Sequence, residues 1–216
     1  MCAVIGVFSK NIINTSFIKL LMQQSMIRGK HATGVSYLLD NTLVTNIKAQ
    51  EASNFDFQSI NTKLFIGHTR YSTSSLEYNQ PIYNDNLSIV HNGVITQEDS
   101  SSWEKYNYNF KTKNDSEFIL KSFEENTHPI NDYPEASIAS IVLDKKNKHL
   151  HFFRNEKRPL YFKKTNDCIV VASTKDILIR SGISEPNKCK SCYDYKVDCN
   201  INVEETKLRK SFKDLQ

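Results

Sequence analysis

The chain has 216 residues and a mass of 24.9 kDa, enough for one domain with a sizeable core. Hydrophobic residues make up 39% of it and no apolar run approaches the ~20 residues of a membrane-crossing helix. Its 28 basic and 24 acidic side chains leave a net charge of +4 and are interspersed, which excludes a concentrated nucleic-acid-binding face. Five cysteines without a scaffold spacing, and a start lacking a basic-then-apolar leader, make the cytoplasm the expected compartment.

The apolar run Ala3 to Phe8 predicts a buried strand. Asn14, Thr15 or Ser16 can cap a helix whose apolar face is Ile18, Leu21, Met22 and Met26, with Gly29 as its stop. Strands are predicted at about 34–39, 42–47, 64–68 and 87–91, then helical stretches at about 97–107 and 115–125. Further strands follow at about 137–143, 149–154, 159–163 and 168–173, a short helix near 174–181 and a strand near 193–199. Two blocks of strands with helices between them argue for a layered α+β fold. The domain is expected over residues 2–200, leaving 201–216 as a C-terminal tail. In that tail Val203, Leu208 and Phe212 among basic residues suggest a docking helix or an ordinary solvated one.

Position 2 is the first chemical clue. Removal of Met1 would make Cys2 the N-terminal residue and put a free α-amine beside its own thiol. Such an amine titrates near ~7.7–8.0 and can take the thiol proton at cellular pH. Nucleophile and base then share one residue. A small buried hydrophobe at a strand start is the plain alternative.

Four more segments stand in order behind it: Arg28-Gly29-Lys30-His31-Ala32-Thr33-Gly34, Gly67-His68-Thr69-Arg70-Tyr71-Ser72-Thr73, His91-Asn92-Gly93-Val94-Ile95 and Asn114-Asp115-Ser116-Glu117. With Cys2-Ala3-Val4-Ile5-Gly6 they closely resemble the class II glutamine amidotransferase domain, an N-terminal-nucleophile hydrolase. The wording is similar to that of the glutaminase domains of glutamine phosphoribosylpyrophosphate amidotransferase and glucosamine-6-phosphate synthase. Asn79-Gln80-Pro81-Ile82-Tyr83 also resembles the first of these and asparagine synthetase B. The resemblance spans about residues 2–180.

It implies a four-layer αββα sandwich of two antiparallel sheets, and glutamine as substrate. Cys2 would attack the side-chain amide to form a γ-glutamyl thioester. Asn92 and Gly93 would supply the oxyanion hole, although Asn-Gly after a strand is also the strongest short hairpin-turn pattern. Arg70 would grip the substrate carboxylate with a two-pronged guanidinium, with Tyr71 and Thr73 nearby. Asp115 would accept the α-ammonium; alternatively it sits in the first turn of a helix capped by Asn114, with Glu117 completing a capping box. Arg28 would support the nucleophile.

Two positions depart from the family pattern. Ala3 replaces the usual Gly after the nucleophile, and His31 stands where an acid is usual. Cys189, Cys192 and Cys199 lack a fourth ligand for a structural zinc, so no metal and no cofactor are expected. No synthase domain fits in the remaining residues, so a separate ammonia-accepting synthase is the expected partner. Two alternatives stand beside this reading. One is a hydrolase of another γ-glutamyl compound. The other is a non-catalytic binding domain on the same fold, which the joint presence of Cys2, Arg70, Asn92, Gly93 and Asp115 opposes.

Overall fold

A computed structural model describes residues 1–58, 60–72 and 77–210. Strand β1 (Ala3–Ser9) is buried along both faces because its side chains alternate between two cores. Ala3, Ile5 and Val7 point toward helix α1 (Thr15–Ser25), whereas Val4 and Phe8 face a second sheet. Asn14 caps α1 as expected, its Oδ1 accepting Ser16 N–H at 2.8 Å.

Next come β2 (Ala32–Leu39), β3 (Thr42–Lys48), a short 3-10 turn (Ala52–Asn54), β4 (Leu64–Arg70), β5 (Ile82–Tyr83) and β6 (Leu87–Val94). Helices α2 (Glu117–Glu124) and α3 (Pro129–Asp132) lead into β7 (Ser137–Asp144), β8 (His149–Arg154), β9 (Tyr161–Lys164) and β10 (Cys168–Ala172). Helix α4 (Lys175–Arg180), β11 (Asn187–Lys188), β12 (Tyr193–Val197) and β13 (Val203–Lys207) complete the described chain.

The strands form two sheets, ordered β11-β9-β10-β1-β4-β2-β3 and β13-β12-β8-β7-β6-β5. Among the described residues every strand pairing is antiparallel, as in β1 with β4 and β10, or β6 with β7. The inner faces meet through Val4, Ile66 and Val171 from one sheet and Ile141, Leu150 and Phe152 from the other. Helices α1 and α4 cover the outer face of the first sheet, and α2 and α3 that of the second. The layers therefore run αββα, and the α+β expectation holds.

Several local expectations change. Asn92-Gly93 is not a hairpin turn: it lies within β6, Asn92 opposite Ala139 and Gly93 opposite Ile138. The stretch at 97–107 contains only a 3-10 segment, Ser100–Tyr106. There Asp99 Oδ1 takes Ser101 N–H at 2.9 Å and Ser102 Oγ donates back to Asp99 O at 2.7 Å, local bonds that compete with a longer α-helix.

Gly29 is not a left-handed helix stop, since α1 ends at Ser25 with Met26 as its cap. A Cβ at Gly29 would lie 2.3 Å from the Arg70 carbonyl carbon and 2.4 Å from Tyr71 N. Glycine is there so that the Arg70–Tyr71 backbone can pass.

The tail expectation is also corrected. Val203–Lys207 is strand β13, paired with β12, so a boundary after residue 200 would cut a hairpin. Val203 packs on the inter-sheet core and Leu208 on the outer one, while the exposed Glu204 and Glu205 pair with Lys196 at 2.9 Å and Lys190 at 2.6 Å. Charged side chains on a sheet edge are what an edge strand requires. Phe212 and the rest of 211–216 lie outside the described residues.

Candidate active site

The head of β1 places Cys2 at the meeting point of three segments. Arg28, in the loop after α1, donates from Nε to Cys2 O at 2.8 Å. Burial pulls the Arg28 guanidinium below its ordinary value, and the Cys2 thiol opposes that shift. The Cys2 thiol lies 4.0 Å from the Tyr71 carbonyl oxygen. Cys2 N–H points at Asn92 Oδ1, 3.4 Å away. Asn92 is 4% exposed, and its Nδ2 is buried with no partner among the described residues. A buried amide donor without a protein acceptor is costly unless a ligand or water meets it.

Gly93 follows with φ +153°, and a Cβ there would fall 1.8 Å from Ser137 O. No other residue fits. Behind this pair His91 is fully enclosed: its Nε2 bonds Ser137 O at 3.1 Å and its Nδ1 meets Ser116 Oγ at 2.9 Å. Burial holds His91 below the ordinary imidazole value, so its ring is neutral, Nε2 donating and Nδ1 accepting. Burial first, with Arg70 and His91 adding, likewise keeps neighbouring His68 neutral, at about 3.

Gln80 clamps the His91 backbone from the other side, its Oε1 accepting the N–H at 2.6 Å and its Nε2 donating to the carbonyl at 3.1 Å. Asn79 accepts from Arg70 at 2.6 Å. The Asn79-Gln80 pair thus connects the Arg70 side chain to the Asn92–Gly93 strand. Sequence reasoning noted this motif only as a resemblance and missed its role, along with those of Ser116 and Ser137.

Arg70, at the end of β4, and Asp115, before α2, line one open cleft of about 650 Å³ with Glu77, Tyr78, Thr96 and Lys113. Asp115 Oδ2 accepts the N–H groups of Ile95 (2.6 Å) and Thr96 (3.2 Å), just beyond Gly93. Among the described residues its Oδ1 carries no hydrogen bond, so one oxygen remains for a ligand. The capping-box alternative holds only in its Asn114 half: Asn114 Oδ1 accepts Ser116 N–H at 3.0 Å, but Glu117 instead accepts from Lys111 N, Thr112 N and Thr112 Oγ1 at 2.7–2.8 Å. Tyr71 is half exposed, and Thr73 lies outside the described residues.

His31 has a definite place. Its N–H donates to Arg70 O at 2.9 Å, its Nδ1 accepts Ser72 N–H at 2.9 Å, and its ring lies 5.0 Å from that of Tyr71. It ties down the segment that presents Arg70 on one side and the Tyr71 carbonyl on the other. Asparagine keeps an acceptor near the Nδ1 position; alanine does not. His31→Ala is therefore expected to lower amide protection at Ser72 in hydrogen exchange, and His31→Asn to retain most of it.

The cysteines near the C-terminus are dispersed. Cys189 sits in the inter-sheet core, Cys192 in the outer one, and Cys199 is exposed.

Two antiparallel sheets stacked face to face, with helices outside and a cysteine heading a central strand, define an N-terminal-nucleophile hydrolase fold. The family described as the glutamine amidotransferase domain matches residues 41–215. Glutamine--fructose-6-phosphate aminotransferase [isomerizing] of Helicobacter pylori is 26% identical, over 82% of this chain and 33% of that protein. Among solved structures, glutamine phosphoribosylpyrophosphate amidotransferase from B. subtilis superposes with a TM-score of 0.80 at 17% identity, over 95% of this chain and 49% of that one. A glutamine aminotransferase class-II domain protein from Silicibacter pomeroyi superposes at 0.65 with 12% identity, over 97% and 100% of the two chains. The chain thus belongs to the class II glutamine amidotransferase domain family, and it spans a third to a half of the length of the first two relatives.

Proposed function

We propose that the chain is a glutaminase, hydrolysing the side-chain amide of glutamine through Cys2 once Met1 has been removed. Met1 is 69% exposed and open to an aminopeptidase. The observation that carries the reading is the buried, unpartnered Asn92 Nδ2 beside the Cys2 backbone. In the proposed reaction the freed α-amine takes the Cys2 thiol proton, and the thiolate attacks the amide carbon. The oxyanion then gathers on Asn92 Nδ2 and the Gly93 N–H. The ammonium passes its proton to the departing nitrogen, releasing ammonia and leaving a γ-glutamyl thioester. Water, deprotonated by the same amine, hydrolyses the thioester to glutamate and restores the thiol.

Arg28 steadies the Cys2 backbone through the carbonyl it holds. Arg70 and Asp115, on one cleft, would take the α-carboxylate and the α-ammonium of the substrate. The ammonia would pass to a synthase beyond residues 1–216, in a channel closed to water, because free ammonia is protonated at neutral pH. We assign residues 2–210 to this one domain.

Glutamate release from L-glutamine, compared with release from a γ-glutamyl dipeptide, tests the substrate. Glutamine is expected to be preferred, with Arg70→Ala raising its KM by about 10- to 100-fold through loss of charge-assisted hydrogen bonds worth about 1.5–3 kcal/mol. Preference for the dipeptide, with KM unmoved in Arg70→Ala, would instead assign a different γ-glutamyl substrate.

A further inference from the structure

We propose a divalent-cation site of the zinc type, formed by Asp144, His149 and His151 on the outer face of the six-stranded sheet. His149 and His151 are two apart on β8 and so share a face. Asp144, at the end of β7, is the direct cross-strand partner of His149. One ligand atom from each of the three lies within 4.8 Å of the others. Two imidazoles and a carboxylate suit zinc rather than calcium or magnesium, which favour all-oxygen ligation.

The surroundings add independent support. His151 Nδ1 is 3.0 Å from Asp194 Oδ2, which fixes the ring and leaves Nε2 for an ion. A carboxylate behind a metal-bound imidazole is the usual means of orienting it. Asp194 is 9% exposed and also faces His128, whose Nε2 lies 3.6 Å from its Oδ1.

Asp144 is itself oriented by Asn147, whose N–H and Nδ2 reach its two oxygens at 3.0 and 2.7 Å. Each carboxylate oxygen retains a second lone pair. Lys196, a cation beside His149, is paired with Glu204 at 2.9 Å. Phe123 walls one side, its ring 5.3 Å from that of His151. Three protein ligands leave a position for water.

The site is remote from Cys2. Ala139 of β7 lies opposite Asn92, and Asp144 is five residues further along, roughly 17 Å at the usual rise per residue. A bound ion would tie β7 to β8 and, through Asp194, to β12, without touching the proposed glutaminase chemistry.

Calorimetric titration of the untagged, chelator-treated full chain with zinc chloride tests this. One saturable equivalent is expected, lost in His149→Gln and weakened at least tenfold in Asp194→Asn. Cobalt(II) in place of zinc should show the intense visible bands of low coordination, absent in His149→Gln. Should the more enclosed His151→Gln fail to fold, half-buried His149 still decides the matter. No saturable zinc binding, or binding unchanged in His149→Gln because thiols hold the metal, would overturn the proposal.

Discussion

Replacing Cys2 with alanine is expected to reduce glutamate release by at least about 10⁴-fold, the order of loss seen when a covalent nucleophile is removed. The protein should stay folded. Cys2 is only partly buried, and its backbone contacts, the Arg28 Nε bond at 2.8 Å and the N–H toward Asn92, do not involve the thiol. Any residual turnover would come from water oriented by the oxyanion donors. Steady-state kinetics beside a thermal melt separates this result from unfolding. A Cys2→Ala variant with near-normal turnover would mean that another group is the nucleophile.

Asn92→Ala is expected to lower kcat by about 10²- to 10³-fold, or about 2.7–4 kcal/mol, because one oxyanion donor disappears. KM should move little, since the amide contacts charge that develops only in the transition state. The loss is specific to Nδ2. Cys2 N–H faces Oδ1, which leaves Nδ2 buried and unpaired, aimed where no described residue accepts from it. If the residue were only a structural filler, the variant would lose stability while kcat in the folded fraction stayed normal.

What the sequence disclosed and what it concealed divide along a physical line. Strand β1, the α1 face of Ile18, Leu21 and Met22, and the two strand blocks were legible because burial imposes periods of 2.0 and 3.6. The layered architecture followed from family resemblance, since pairing order depends on contacts far apart in the chain. β1 between β4 and β10 is one such case.

Gly29 and Gly93 read as a helix stop and a turn; each is instead required by another segment passing close by, the Arg70–Tyr71 backbone and the Ser137 carbonyl. Glycine is the same letter in either role. β13 was missed because, apart from Val203, its residues answer to an exposed edge rather than to a core.

In the candidate site Cys2, Arg28, Arg70, Asn92, Gly93 and Asp115 could be picked out by wording. Their supports, Gln80 on His91, Asn79 on Arg70 and His31 on Ser72, could not. Polar residues that bond backbone atoms or another polar side chain carry no periodicity, and their partners lie 9 to 41 residues away.

The central claim is a processed N-terminal cysteine in a glutamine-shaped site. Intact mass of the purified chain, before and after treatment with the glutamine-like alkylator 6-diazo-5-oxo-norleucine, tests it most directly. Loss of Met1 and a single adduct are expected, the adduct absent in Cys2→Ala and prevented by excess glutamine. Met1 fully retained with no adduct, or an adduct undiminished in Cys2→Ala, would contradict it.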